Sequence, residues 1–181
     1  MAIHSQRGFT LIEIIVSVGI IAFISVVIAQ TFFTTTRVNT KTELINDIKQ
    51  NGDFALDYMI RAIRSAQQVT SVCDTAPGSS GSALTVLNSD NTSSTFSSLV
   101  DGTVTRLVEN PGSSYLTSNN LTLSDTACPG TPSLQFICTS SPAQPPHVDV
   151  TIRFCLSQKG APQGSFERAG QAFQTSVTLR N

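Results

Sequence analysis

Hydrophobic residues predominate along the chain from Phe9 to Ala29. A stretch of about 20 such residues is long enough to cross a bilayer as a helix. It is apolar around its whole circumference, so this helix needs lipid or partner helices on every side. The stretch carries one charged residue, Glu13, near its start. Because a carboxylate inside an apolar span is costly, Glu13 is the first candidate for a functional residue.

In the next part of the chain the apolar residues recur mainly at intervals of three, four or seven, which is typical of a helix with one buried face. The residues of this stripe are Ile45, Ile48, Ala55, Leu56, Met59, Ile63, Ala66 and Val69. No proline interrupts the region. The pattern predicts a single helix from about Phe9 to about Val69, roughly 90 Å long at 1.5 Å per residue. Residues 9–29 would form its transmembrane part and residues 30–72 an amphipathic stem, with softer points at Thr34–Thr36 and Gly52.

Charged residues of the stem lie away from the apolar stripe. Lys49 and Asp53 are four positions apart, as are Asp57 and Arg61, so each couple is expected to support the helix as an opposite-charge pair. The two aspartates are also spaced as a carboxylate pair, but a solvated helix face is the favoured interpretation.

Beyond residue 73 the pattern changes to short segments in which apolar and polar residues alternate, as in half-buried strands. The predicted strands are Leu84–Leu87, Thr103–Glu109, Leu121–Leu123, Ser133–Thr139, Val148–Leu156 and Phe173–Leu179. Two Ser/Thr-rich runs, Asp74–Ala83 and Ser89–Ser98, are expected to be loops. A helix followed only by strands predicts an α+β fold. In it a long N-terminal α-helix packs on an antiparallel β-sheet head of residues 73–181, and the apolar face of Asp57–Val69 covers the sheet.

Composition narrows the class of protein. The chain has 181 residues, which is enough for one stem and one modest head domain. Its formal net charge is −1, and without the residues before Phe9, which include Arg7, it is 10 − 12 = −2. Proteins that bind nucleic acids usually carry a net positive charge or a basic patch, and this nearly neutral charge does not indicate such a protein. The head is rich in Ser, Thr, Asn and Gly, as an extracellular surface is.

Four cysteines follow the apolar span, and they are Cys73, Cys128, Cys138 and Cys155. An even number on the expected oxidising side of a membrane indicates two disulfides, for which three connectivities exist. If Ser133–Thr139 and Val148–Leu156 form a hairpin, Cys155 lies just past the end of the first strand and near Cys128. This register favours Cys128–Cys155 together with Cys73–Cys138.

Residues for catalysis or metal binding are scarce. Of the two histidines, His4 precedes the apolar stretch and His147 stands alone in a Pro-rich turn, where we expect an exposed loop residue. The cysteines contain no Cys-x-x-Cys spacing, which argues against zinc. The chain has neither a nucleophile elbow nor a phosphate-binding loop. We therefore expect no catalytic residues, no metal and no cofactor, and a protein that is not an enzyme.

Three interpretations compete for the N-terminus. An ordinary secretory signal has a shorter apolar region and a small-residue cleavage site. A plain membrane anchor accounts for the length but not for Glu13 or the leader. The third rests on Arg7-Gly8-Phe9-Thr10-Leu11-Ile12-Glu13, which resembles the processing motif of type IV pilin-like prepilins at every position. We favour the third interpretation.

The resemblance implies a specific maturation. Prepilin peptidase would cut on the cytoplasmic side between Gly8 and Phe9, releasing residues 1–8 as a leader, and Phe9 would typically be N-methylated. Glu13 would then serve assembly, because the Phe9 ammonium of one subunit lies near Glu13 of a neighbour in the staggered filaments of this family. Pairing these charges relieves the cost of burying either of them alone.

Two further stretches, Gln50–Ala66 and Val100–Arg106, resemble larger minor pilins and the J-type minor pseudopilin of type II secretion. Many major pilins have a proline that kinks this stem. Its absence here favours a minor pilin or a pseudopilin. The resemblance implies as partners other pilin or pseudopilin subunits through the N-terminal helix, an inner-membrane assembly platform and, before assembly, membrane lipid. It implies a single-pass plasma (inner) membrane protein with its head outside the cytoplasm. The protein would later enter a filament, with residues 9–29 in the filament core. The alternative is a membrane-tethered binding module that uses the same export signal to present its head to a surface, DNA or a secreted cargo.

Overall fold

The computed structural model describes residues 8–71, 78–112, 114–124, 126–141, 147–160 and 169–179. In this part of the chain one helix, α1 Leu11–Ser65, precedes ten β-strands. The strands are β1 Gln68–Val69, β2 Ser80–Gly81, β3 Leu84–Leu87, β4 Ser93–Asp101, β5 Val104–Asn110, β6 Ser114–Tyr115, β7 Leu121–Leu123, β8 Leu134–Ser141, β9 His147–Gln158 and β10 Gly170–Leu179. The predicted α+β class is confirmed: one long N-terminal helix is followed by antiparallel β-sheets.

Helix α1 is continuous through both predicted soft points. The hydroxyls of Thr34, Thr35 and Thr36 donate to the carbonyl oxygens four residues earlier, at 2.9 Å each, so these side chains bond to the helix itself. The predicted C-terminal end was wrong: α1 ends at Ser65, and Val69 lies in β1, opposite Val86. Val69 is nevertheless buried, so the helical spacing of buried residues continues beyond the helix.

The chain divides into two compact units at residue 40. Within its described residues, the first unit consists of the apolar part of α1 and the three residues before it. The second unit contains α1 from Lys41 onwards and all ten strands.

The head contains two antiparallel sheets, whereas the sequence predicted one. The first has the strand order β1-β3-β4-β5-β6, and the second has the order β10-β9-β8-β2, with β7 also pairing with β9. The sheets approach each other where β5 lies beside β7. There the backbone N–H of Thr105 donates to the hydroxyl of Thr122 at 2.9 Å.

Strand β4 occupies most of a segment that we expected to be a loop, Ser89–Ser98. The segment is rich in Ser and Thr, but Phe96 is fully buried and pairs with Leu84 of β3. Ser94 is buried beside it, and its hydroxyl accepts a hydrogen bond from the Asn88 side chain at 3.1 Å. Burial of the Phe96 ring and hydrogen bonding of the Ser94 hydroxyl thus allow this polar segment to form a strand. The other expected loop contains β2, while its residues 74–77 lie outside the described residues.

The apolar stripe of α1 forms the helical side of the head core. Ile48, Ala55, Met59 and Ile63 are 0–1% exposed, as expected. Ile45 departs from the expectation, because its side chain is 40% exposed.

Gly52 belongs to the same buried face, although the sequence suggested a soft point. The ring of Phe173 from β10 occupies the space that a Cβ at Gly52 would take. That ring also stacks on Phe154 of β9, with the ring centroids 5.1 Å apart and the planes 20° apart. A side chain at residue 52 would displace the ring, so the glycine is needed for packing.

In addition to the apolar core, hydrogen bonds connect α1 to the rest of the head. The Tyr58 hydroxyl donates to the Glu109 carboxylate of β5 at 2.6 Å, and this hydrogen bond raises the pKa of Tyr58. The Asn51 side-chain oxygen accepts from the backbone N–H of Ser118 at 3.0 Å. The opposite-charge pairs expected along the stem do not form. Between described residues the structure has one ion pair, Arg106–Asp101 at 3.2 Å.

The favoured cysteine pairing agrees with the structure where it is described. Strands β8 and β9 form the expected hairpin, and Cys155 is bonded to Cys128 with their Cα atoms 6.0 Å apart. Cys138 is also disulfide-bonded. Its predicted partner, Cys73, lies outside the described residues.

We predict two disulfides in the mature protein. Alkylation without reduction should modify no thiol, whereas alkylation after reduction should add four labels to the intact mass, one for each cysteine. The test requires protein isolated from its native compartment, since cytosolic expression keeps thiols reduced. Free thiols in native, unreduced protein would contradict the prediction.

Candidate assembly site

The start of the described chain is open to approach. Gly8, Phe9 and Thr10 precede α1 and adopt no regular secondary structure. Apart from its chain neighbours, no group of the described chain lies within 4 Å of the position that a Cβ on Gly8 would take, and the Phe9 side chain is 78% exposed. The peptide bond between these two residues is therefore unobstructed by the rest of the described chain.

Glu13 lies in the first turn of α1. Its backbone N–H donates to the carbonyl oxygen of Thr10 at 3.1 Å and lies 3.4 Å from the Thr10 hydroxyl oxygen. Thr10 thus caps the helix, a role that our sequence analysis missed. The signal was present as Thr10-Leu11-Ile12-Glu13, because a Thr followed three residues later by Glu is typical of a capping box. An acidic residue here also interacts favourably with the helix dipole.

The surface around Glu13 is apolar. Large exposed hydrophobic residues of the first unit are Phe9, Leu11, Ile12, Ile14, Ile15, Val16, Val18, Ile20, Ile21, Phe23, Ile24, Val26, Val27, Ile28, Phe32, Phe33 and Val38. Ser and Thr side chains that lie between these hydrophobic residues form hydrogen bonds to the helix backbone. For example, the Ser17 hydroxyl donates to the Glu13 carbonyl oxygen at 2.7 Å. Helix α1 is long and apolar enough to cross a membrane. No residue in its most apolar stretch is buried against the rest of the described chain.

The Glu13 carboxylate is exposed and, among the described residues, has no ion-pair partner. The predicted processing and assembly residues therefore lie together within two turns of chain, at the tip of an uncovered apolar helix.

The head offers no comparable chemistry. The described residues contain no group of three or more His, Cys, Asp or Glu residues placed to hold a metal ion. His147 is the first residue of β9, opposite Ser141, and so does not lie in the loop in which the sequence placed it. Asp53 and Asp57 are exposed on the helix, as expected of a solvated face.

Comparisons with known proteins agree with the geometry of the N-terminus. Residues 3–29 match the family model described as the prokaryotic N-terminal methylation motif. No curated protein and no solved structure matches the chain. The match spans the Gly8–Phe9 bond, Glu13 and the most apolar part of α1. The N-terminus of this chain is therefore a prepilin-type signal of the kind that type IV pilins and pseudopilins carry.

Proposed function

We propose that the protein is a structural subunit, a minor pilin or a minor pseudopilin, of a type IV pilus or a type II secretion pseudopilus. The observation that carries the proposal is the position of Glu13. It is a lone acid in the first turn of an exposed apolar helix, within a methylation motif. A helix that serves only to anchor the head does not need a carboxylate inside its apolar span, where the charge is costly.

The physical role of Glu13 follows from what covers the helix after assembly. The apolar surface of α1 requires lipid before assembly and the helices of other subunits afterwards. Among those helices the dielectric is low, so an unpaired carboxylate is strongly disfavoured. The ammonium of a neighbour's mature Phe9 supplies the missing charge. Pairing then fixes the axial position of one subunit relative to the next.

Two features support the minor class. Helix α1 is long and contains no proline, and it stays helical through its Thr-rich segment. The stem between Gln50 and Ala66 resembles larger minor pilins and the J-type pseudopilin. This part of the stem packs against the strands of the head through Ala55, Met59 and Ile63. In this proposal the partners are prepilin peptidase, the assembly platform of the inner membrane and other pilin-type subunits. The head lies outside the cytoplasm.

Processing is the first test. We predict cleavage between Gly8 and Phe9 and N-methylation of Phe9, because this bond is unobstructed and a glycine gives the peptidase close access to the backbone. The mass of the N-terminal peptide should match methylated Phe9. In cells without prepilin peptidase it should retain residues 1–8. A mature N-terminus near residue 30, as ordinary signal peptidase would leave, would contradict the proposal.

Replacement of Gly8 provides the matched comparison. Gly8→Ala should be processed nearly as well as the wild type, whereas Gly8→Val should accumulate as the uncleaved precursor. The folded protein has open space at this position, so neither change disturbs the described structure. Equal processing of both variants would show that cleavage does not depend on a small residue at Gly8.

A further inference from the structure

A cleft opens at the end of the head where α1 enters it. The cleft has a volume of about 410 Å³ and is lined by Lys41, Ile45 and Ile48 of α1 and by residues 169–171 at the start of β10. Ile45 borders this open space, which accounts for its 40% exposure within an otherwise buried stripe. The acidic residues of this part of α1, Glu43 and Asp47, do not line the cleft. Because lysine binds phosphate as a point charge, the cleft suits a phosphate that is attached to a short apolar chain.

The same level of the head can be followed across both sheets. Gly170 of β10 lies opposite Ser157 of β9, which in turn lies opposite Thr122 of β7. The Thr122 hydroxyl accepts a hydrogen bond from the backbone N–H of Thr105 in β5, and Thr105 lies opposite Val100 of β4. These five residues therefore form one row across five strands, level with the cleft.

Cationic and apolar side chains are exposed along this row. Lys159, which directly follows β9, is exposed. In the hairpin of β4 and β5, Val100 is 70% exposed and Leu99 is 41% exposed. The acid of the hairpin, Asp101, forms an ion pair with Arg106 at 3.2 Å. Exposed apolar residues that lie together mark a surface that meets another protein or a membrane.

The position of this end along α1 identifies the membrane as the occupant. Counted from Ile14, which follows the charged Glu13, the roughly 20 residues that cross a hydrocarbon core end at Phe33. Lys41 comes 41 − 33 = 8 residues later in the same helix, about 12 Å at 1.5 Å per residue. The headgroup layer is about 5–8 Å thick on each side of the core, and helical side chains lean towards the N-terminus. The long Lys41 side chain therefore reaches the headgroups.

We propose that this end of the head rests on the phospholipid headgroups of the membrane that α1 spans. The Lys41 ammonium binds a lipid phosphate in the cleft, and the methylene groups of that headgroup lie against Ile45. Lys159 binds a second phosphate, and Val100 enters the interface beside it. The inference requires α1 in a bilayer but no filament, so it can fail without the assembly role of the protein, and the assembly role can fail without it.

Fluorescence quenching tests the contact in the full-length protein. The protein is reconstituted in vesicles of phosphatidylglycerol and phosphatidylcholine in which some headgroups carry a nitroxide quencher. A fluorophore attached to Val100→Cys should be strongly quenched. A fluorophore on Ser93→Cys is the matched control and should keep its emission, because Ser93 is exposed at the other end of β4. Equal quenching of the two labels, or none at residue 100, would overturn the proposal.

Photocrosslinking tests the role of Lys41. Phosphatidylglycerol with a photoreactive group on its headgroup is included in the vesicles, and the peptides that line the cleft are analysed by mass spectrometry. Lys41→Glu should lower the crosslinking yield several-fold, because a carboxylate repels the phosphate. Lys49→Glu makes the same charge reversal at an exposed position further along α1 and should leave the yield unchanged. An equal yield for Lys41→Glu and the wild type, or an equal loss in both variants, would refute a phosphate site at Lys41.

Discussion

Gly52→Val is expected to destabilise the head strongly. The ring of Phe173 occupies the space of any Cβ at this position, so the ring must leave its site against Phe154. Loss of a phenylalanine ring from a core costs about 3–5 kcal/mol, against a total stability of about 5–15 kcal/mol for a typical domain. Circular dichroism of the full-length protein in detergent should show a lower thermal midpoint for the β-sheet signal.

Two comparisons isolate the contact. Gly19→Val makes the same change in the same helix. Apart from the adjacent turns of the helix, no described residue lies within 4 Å of its Cβ position, so the midpoint should not move. Phe173→Ala should destabilise by itself, and adding it to Gly52→Val should cost far less than the sum. Such non-additivity is expected only of residues in contact. An unchanged midpoint for Gly52→Val, or additive effects, would contradict this packing.

Local patterns predicted the parts of the fold that local forces determine. Strands β3 and β7 have the predicted bounds, because alternation of buried and exposed residues is visible in a few consecutive positions. The helix end was wrong since Ala66 and Val69 remain buried at helical spacing after the backbone has left the helix. Strand β4 was missed because its burial rests mainly on Phe96.

Most contacts between segments far apart in the sequence could not be predicted from local patterns. Nothing near Gly52 indicates that Phe173, more than a hundred residues later, will cover it. The division into two sheets likewise depends on which strands pair. The prepilin-type motif was recognisable from the sequence in contrast, because Gly8, Phe9 and Glu13 lie in one continuous stretch. Even there the capping role of Thr10 was recognised only from its contact with Glu13.

Glu13→Val is expected to exclude the protein from filaments while leaving its head folded and its helix in the membrane. The span becomes more apolar, which favours insertion. The core residues of the head belong to the unit that begins at Lys41, so its packing does not involve residue 13. In the filament, however, a neighbour's Phe9 ammonium would lose its partner. Removing one member of a buried pair costs about 3–5 kcal/mol, which lowers incorporation by orders of magnitude.

Ser17→Val is the matched control, because it replaces a polar side chain one turn further along the same exposed helix. Its hydroxyl bonds to the helix backbone and carries no charge, so incorporation should be unchanged. The decisive measurement is the amount of each protein that co-purifies with filaments sheared from cells, relative to the amount in membranes. We predict wild-type protein and Ser17→Val in the filaments and almost no Glu13→Val. Equal recovery of Glu13→Val and the wild type would contradict an assembly role for Glu13 and favour a membrane-tethered binding module.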